Sequence, residues 1–327
     1  MTGALLVMLA LGGGSAKPAA IRWEHRLEDA LKKAKSSGKP VMIDFWAEWC
    51  GWCHRLDQTT YVDPEVTKMV AGDFIALKID TEAGKRSADI ATKYGVQSLP
   101  TIAFISPSGR PIDRVSGYQG PGPFPRTLET VKAKATKVIA WEEALDKDSQ
   151  DANALFQLGL HMFEQEAYEE SRELLRRAAD VDAKRPVSDR KQTRMLIGII
   201  DRYDAKYQRA EAVLKEGLAM EPATEFDPKM LYVLGRVYAA WNKTAEARVT
   251  LTRVLNEYPA SSVAQKARET LVALAALGSA PRNSSTRAAV SAGRSSWGMC
   301  PASIMSTRAP GMSAAKRSAS RGGIQVS

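Results

Sequence analysis

Residues 44–56 read DFWAEWCGWCHRL, and the meaning of the two cysteines in this stretch decides the fold. Taken alone, Cys50-Gly51-Trp52-Cys53-His54 is C-x-x-C-H, the string that attaches a c-type haem. The same C-x-x-C is also half of a zinc-ligand set, and it is a redox dithiol when it opens a helix. The left flank separates these readings. Val41 to Ala47 is a near-continuous apolar run, the pattern of a strand buried on both faces. A strand running into the motif puts Cys50 at a helix N-terminus, where unpaired N–H groups and the helix dipole favour a thiolate. Cys53, one turn later, lies on the same side and can close a small disulfide ring.

Composition narrows the function classes. The chain has 327 residues, room for about two domains. Only three cysteines occur, Cys50, Cys53 and Cys300, too few for a disulfide-built scaffold. A structural zinc site needs four ligands, and His25, His54, His161 and Cys300 supply no second ligand pair. No metal and no cofactor is therefore expected. The net charge of +9 is concentrated in residues 278–327, which hold seven Lys or Arg and no Asp or Glu. The rest carries 39 basic against 37 acidic residues, so no nucleic-acid partner is expected for the folded part.

The elements around the motif alternate. Leu27–Lys35 reads as an amphipathic helix and Phe74–Asp80 as a strand; Lys85–Tyr94 is a helix closed by Gly95. Thr101–Ser106 and Pro111–Gly117 flank the turn PSGR as a hairpin, and a last helix runs near Thr127–Ala140. Asp63-Pro64-Glu65 starts a further helix turn, with Asp as cap and Pro in the first position. This is a small α/β layer fold.

Two stretches in this order, VMIDFWAEWCGWCHRL and GVQSLPTIAFISPSGRPIDRVSGY, resemble the thioredoxin family over about residues 20–140. Within the family, GKPVMIDFWAEWC together with TTYVDPEV is most similar to the C-terminal thioredoxin domain of bacterial periplasmic thiol:disulfide interchange reductases. The resemblance implies that Cys50 is the nucleophile and Cys53 the resolving thiol. It makes Asp44 a buried carboxylate assisting proton transfer at Cys53, and Pro100 a cis-proline. Trp49, Gly51, Trp52 and Leu99 then contact an extended protein substrate bearing a disulfide. The chain departs from the family in carrying Gly-Trp between the cysteines, where Gly-Pro is usual, and in having Ala76 where a lysine often stands. Whether Lys78 substitutes stays open, as does the choice for His54 between stabilising the Cys50 thiolate and facing solvent.

From Asp151 onward the pattern is helical only. Leu158-Gly159, Ile197-Gly198 and Leu234-Gly235 recur, followed by Ser171, Ala210 and Ala247 and then by Leu175, Leu214 and Leu251. The period of 37 to 39 residues is near the 34 of a tetratricopeptide repeat, which these units resemble. The expected partition is a signal peptide at 1–20, a thioredoxin-like domain at 21–145, tetratricopeptide-like repeats with a cap helix at 151–277, and a disordered basic tail at 278–327. The repeats imply a protein partner, bound by Phe156, Phe163, Met195, Arg202, Tyr232 and Arg236 on the first helices of the pairs. A scaffold or co-chaperone-like adaptor with an auxiliary redox module is the competing function. Residues 4–11, ALLVMLAL, followed by small residues, resemble a secretory signal, so the expected location is periplasmic or otherwise exported, with a cytoplasmic protein as the alternative.

Overall fold

The computed structural model describes residues 20–279. The expectations for the N-terminal signal, the basic tail and Cys300 lie outside that range. The elements are β1 (Trp23–Glu24), α1 (Leu27–Ser37), β2 (Val41–Trp46), α2 (Gly51–Arg55), α3 (Pro64–Asp73), β3 (Ile75–Asp80), α4 (Lys85–Lys93), β4 (Thr101–Ile105), β5 (Pro111–Ser116) and α5 (Phe124–Lys147). Seven helices follow: α6 (Ala152–Glu164), α7 (Tyr168–Val181), α8 (Val187–Tyr203), α9 (Tyr207–Leu218), α10 (Asp227–Ala240), α11 (Thr244–Glu257) and α12 (Ala264–Ser279). No helix among the described residues is long and apolar enough to cross a membrane. The chain divides into two compact units between Asp182 and Ala183.

In the first unit the strands form one sheet in the order β1-β3-β2-β4-β5. β1 and β2 run parallel to β3, whereas β4 is antiparallel to both β2 and β5. β2 is central and flanked on both sides, which is why its residues are apolar without alternation. Val41, Met42, Ile43 and Phe45 are all buried. Asp44 is the one charged residue in that run. This is the thioredoxin-like α/β arrangement that the two motifs imply.

Local chemistry sets the helix ends. α1 buries Ala30 and Ala34 and stops at Gly38, whose φ of 69° lets its N–H return to the Ala34 carbonyl. Asp63 caps α3 by accepting from the N–H groups of Glu65 and Val66, with Pro64 in the first turn. α5 begins at Phe124, earlier than the expected Thr127, with Pro125 in its first turn and Phe124 buried.

α6 and α7 belong to the first unit. The His161 Nε2–H donates to the Pro111 carbonyl at 3.1 Å, at the start of edge strand β5. Buried Glu142 of α5 accepts from the Ser106 and Ser108 hydroxyls at 2.8 and 2.6 Å and from Arg110 at 3.2 Å. Arg110 also donates to Glu170 of α7 at 2.6 Å. The β4–β5 turn is thereby tied to both α5 and α7.

The second unit consists of α8 to α12, with α8 and α9, and α10 and α11, packed as pairs. Glycine allows the close approach within them: a Cβ on Gly198 falls 2.6 Å from Leu214, and one on Gly235 falls 2.7 Å from Leu251. Gly159 and Leu175 make the same contact between α6 and α7. The recurring Gly and Leu positions of the sequence are thus the positions where each pair touches. Inside the α8–α11 core, the fully buried Lys191 ammonium binds both oxygens of Asp227, at 2.8 and 2.7 Å.

Candidate functional site

β2 ends at Trp46, and the chain turns through Ala47–Trp49 into α2. Cys50 is the N-cap of that helix, its sulfur accepting from the Cys53 N–H at 3.2 Å. Cys50 and Cys53 form a disulfide and are only 4% and 1% exposed. The tryptophans beside them are open, Trp49 at 68% and Trp52 at 62%. The Trp49 indole N–H donates to Glu82 at 2.7 Å in the turn after β3, and the Trp52 ring stands 5.3 Å from Tyr118. Two exposed aromatic faces therefore flank a recessed sulfur pair.

The Leu99–Pro100 peptide is cis. Pro100 immediately precedes β4, whose Thr101 lies opposite Phe45 in β2. Register therefore sets Pro100 level with Trp46, at the end of the sheet from which the dithiol loop departs. Its carbonyl accepts from the Gly117 N–H at 2.8 Å, which binds the loop carrying Tyr118 to the same end. The Tyr118 hydroxyl pairs with Thr59 at 3.1 Å, and Thr60 donates to the Gln119 carbonyl at 2.8 Å.

Lys78, left open by the sequence, lies directly opposite Asp44 in the β2–β3 register. Its ammonium is 3.5 Å from the Asp44 carboxylate and makes a short ion pair with Asp57. It also stands over the rings of Trp23, Trp46 and Tyr61, at 5.6, 5.2 and 6.0 Å. Burial pushes the Asp44 carboxyl up to about 6, and the Lys78 charge opposes that push. The His54 Nε2–H donates to the Glu48 carbonyl at 2.7 Å, and its ring meets Trp46 edge-on.

Asp57, Tyr61 and Tyr118 were not legible as site residues. Between α2 and Tyr61 the chain takes a π-helical turn, Leu56–Thr60, which the Tyr61 N–H closes on the Leu56 carbonyl at 3.0 Å. The extra residue rotates the following side chains off the face that a 3.6-residue period assigns them.

The residues expected to bind a partner are placed otherwise than on an open surface. Phe156, Phe163, Met195, Tyr232 and Arg236 are all buried. Arg202 is partly buried, with its guanidinium 4.8 Å over the Tyr203 ring and its charge beside that of Arg236. The large apolar side chains at helix-facing positions have gone into packing, the ordinary fate of such a stripe.

Residues 27–132 match the thioredoxin-like domain family. The thiol:disulfide interchange protein DsbD of Salmonella typhi is 38% identical over 109 residues, 32% of this chain and 18% of that protein. The protein of the same name from Vibrio cholerae is 34% identical over 101 residues, 30% of this chain and 17% of its own length. The chain thus spans less than a fifth of the curated relatives it matches. Among solved structures, the reduced C-terminal domain of Neisseria meningitidis DsbD is 26% identical, with a TM-score of 0.29, over 32% of this chain and 92% of that one.

Proposed function

We propose that this chain is a thiol–disulfide oxidoreductase that reduces or isomerises disulfides in protein substrates. One observation carries the reading: a Cys50–Cys53 disulfide caps a helix at the end of the central strand that buries Asp44. In the reduced enzyme the Cys50 thiolate attacks one sulfur of the substrate disulfide. A Cys50–substrate mixed disulfide forms and the other substrate sulfur leaves as thiolate. Cys53 gives its proton to the Asp44 carboxylate and attacks the Cys50 sulfur. The substrate thiolate is released and the Cys50–Cys53 disulfide closes. The substrate has gained two electrons, and a reducing dithiol must restore the enzyme. In isomerisation the substrate's own thiol attacks the mixed disulfide, and Cys50 is regenerated.

The pKa of Asp44, raised to about 6, fits a group that accepts a proton near neutral pH and passes it on. Leu99 and Pro100 present backbone to an extended substrate segment, with Trp49, Gly51 and Trp52 beside it. The DsbD relatives are named as thiol:disulfide interchange proteins, and that chemistry is the one proposed here.

The finer organisation belongs to the same proposal. Residues 21–145 carry the redox chemistry, and the helix pairs of 151–277 form a tetratricopeptide-like element that recruits a protein partner. That surface uses side chains other than the buried Phe156, Phe163, Met195, Tyr232 and Arg236. The apolar run at residues 4–11 directs export to the periplasm. Trapping tests the redox core: Cys53→Ser, mixed with a disulfide-bearing protein, should accumulate a covalent adduct through Cys50 that dithiothreitol releases. Absence of any adduct, with Cys50 titrating as a free thiol, would sink the proposal.

A further inference from the structure

Three buried polar atoms near the dithiol strand have no hydrogen bond: both carboxylate oxygens of Asp44 and the hydroxyl of Tyr61. Both side chains face one cation: the Lys78 ammonium is 3.5 Å from the Asp44 carboxylate and 6.0 Å from the centre of the Tyr61 ring. Its ring is held on two sides, edge-on to Trp23 at 5.1 Å and to Phe124 at 6.3 Å. The π-helical turn closed by the Tyr61 N–H is what brings this side chain inward. Lys78 is the cation next to Asp44, but it is also held by Asp57, and an ammonium can only donate. A hydroxyl can do both. It donates to a carboxylate and accepts from a carboxylic acid. A buried acid that gains and loses a proton in each cycle leaves an oxygen unsatisfied in one state unless its neighbour can reverse roles, and such an oxygen costs about 1–3 kcal/mol.

We propose that Tyr61 is a positioning residue for Asp44, donating to the ionised carboxylate and accepting from the protonated acid, so that the proton leaving Cys53 is received by an oriented oxygen. This rests on the reading of Asp44 as the proton acceptor. The step moves one proton and no electrons: Cys53 thiol and Asp44 carboxylate become Cys53 thiolate and Asp44 acid, and the proton later passes to solvent. The phenol suits the task, because burial and the neighbouring Asp44 hold it well above 10, so its O–H is intact throughout the working range. The Tyr61 hydroxyl in turn lowers the Asp44 carboxyl against the upward push of burial.

The test is Tyr61→Phe in the full chain, which keeps the ring against Trp23 and Phe124. Two quantities are read: the Asp44 carboxyl 13C shift against pH in the reduced protein, and the pH profile of mixed-disulfide resolution. Both midpoints should rise by about 0.5–1 pH unit, the worth of one hydrogen bond. In an Asp44→Asn background the same substitution should leave the resolution profile where it was. An Asp44 titration that does not move overturns the assignment and leaves Tyr61 a packing residue. If the carboxyl titration moves and the rate profile does not, the Tyr61–Asp44 bond stands, and it is the role of Asp44 as proton acceptor that fails.

Discussion

The Lys78 ammonium lies 3.5 Å from the Asp44 carboxylate, the two residues facing each other across the β2–β3 register. Asp44 is fully buried while Lys78 reaches the rim of the sheet, so the pair joins the strand interior to the partly exposed Asp57. A cation this close favours the ionised acid, and burial favours the neutral one.

Replacing Lys78 by Met removes the cation and leaves the burial. The Asp44 carboxyl should then titrate above its value of about 6, by about 1 pH unit. Carboxyl 13C shifts recorded against pH check this. A midpoint that stays near 6 would mean that solvent screens the pair.

Asp44 also sets a pH dependence of stability. Its carboxyl is raised from 3.8 to about 6, so the folded state holds the proton more tightly than the unfolded chain. The stability it contributes is fully present below 3.8 and is lost as pH rises through 6; the difference corresponds to about 3 kcal/mol at most. Asp44→Asn should therefore melt higher than wild type at pH 8, with the gap closing by pH 4. Thermal unfolding at the two pH values measures it, and a gap of the opposite sign would contradict the burial of an ionisable Asp44.

The helix pairs make a separate prediction. Gly198→Ala puts a methyl group 2.6 Å from Leu214, and Gly235→Ala puts one 2.7 Å from Leu251. On an exposed helix the change would stabilise by up to about 1 kcal/mol. Here overpacking dominates, and each variant should lose about 1–3 kcal/mol by denaturant unfolding. Leu214→Ala and Gly198→Ala together should lose less than the sum of the two single losses, because the added methyl group fills part of the space the leucine vacates.

Glu142→Ala tests the tie between the β4–β5 turn and the helices. It strips the acceptor from Ser106, Ser108 and Arg110, and a loss of about 1–3 kcal/mol is expected in the unfolding of the first unit.

What could be read from the sequence follows from what repeats or matches locally. The apolar run around Asp44 leads straight into the dithiol, and Leu99-Pro100 lies in a second unbroken string, so the fold was legible. So was the Gly–Leu register of the helix pairs, because a close approach leaves a fixed spacing. Asp57 and Tyr61 were hidden by the π-helical turn, which breaks the helical period between Leu56 and Thr60. β1, two residues long, gives no alternation to detect. The burial of Phe156, Phe163, Met195, Tyr232 and Arg236 was hidden for a different reason: a period marks the buried face of a helix and says nothing of whether a partner or the chain itself buries it.

Disulfide reduction itself is measured by following insulin precipitation with dithiothreitol as reductant, alongside the equilibrium redox potential of the Cys50–Cys53 pair. The wild-type chain should turn over, Cys50→Ser should abolish turnover, and the potential should be that of a reversible dithiol. A normal potential with no reductase or isomerase turnover, unchanged by Cys50→Ser, would contradict the enzyme and favour a scaffold whose redox module is auxiliary.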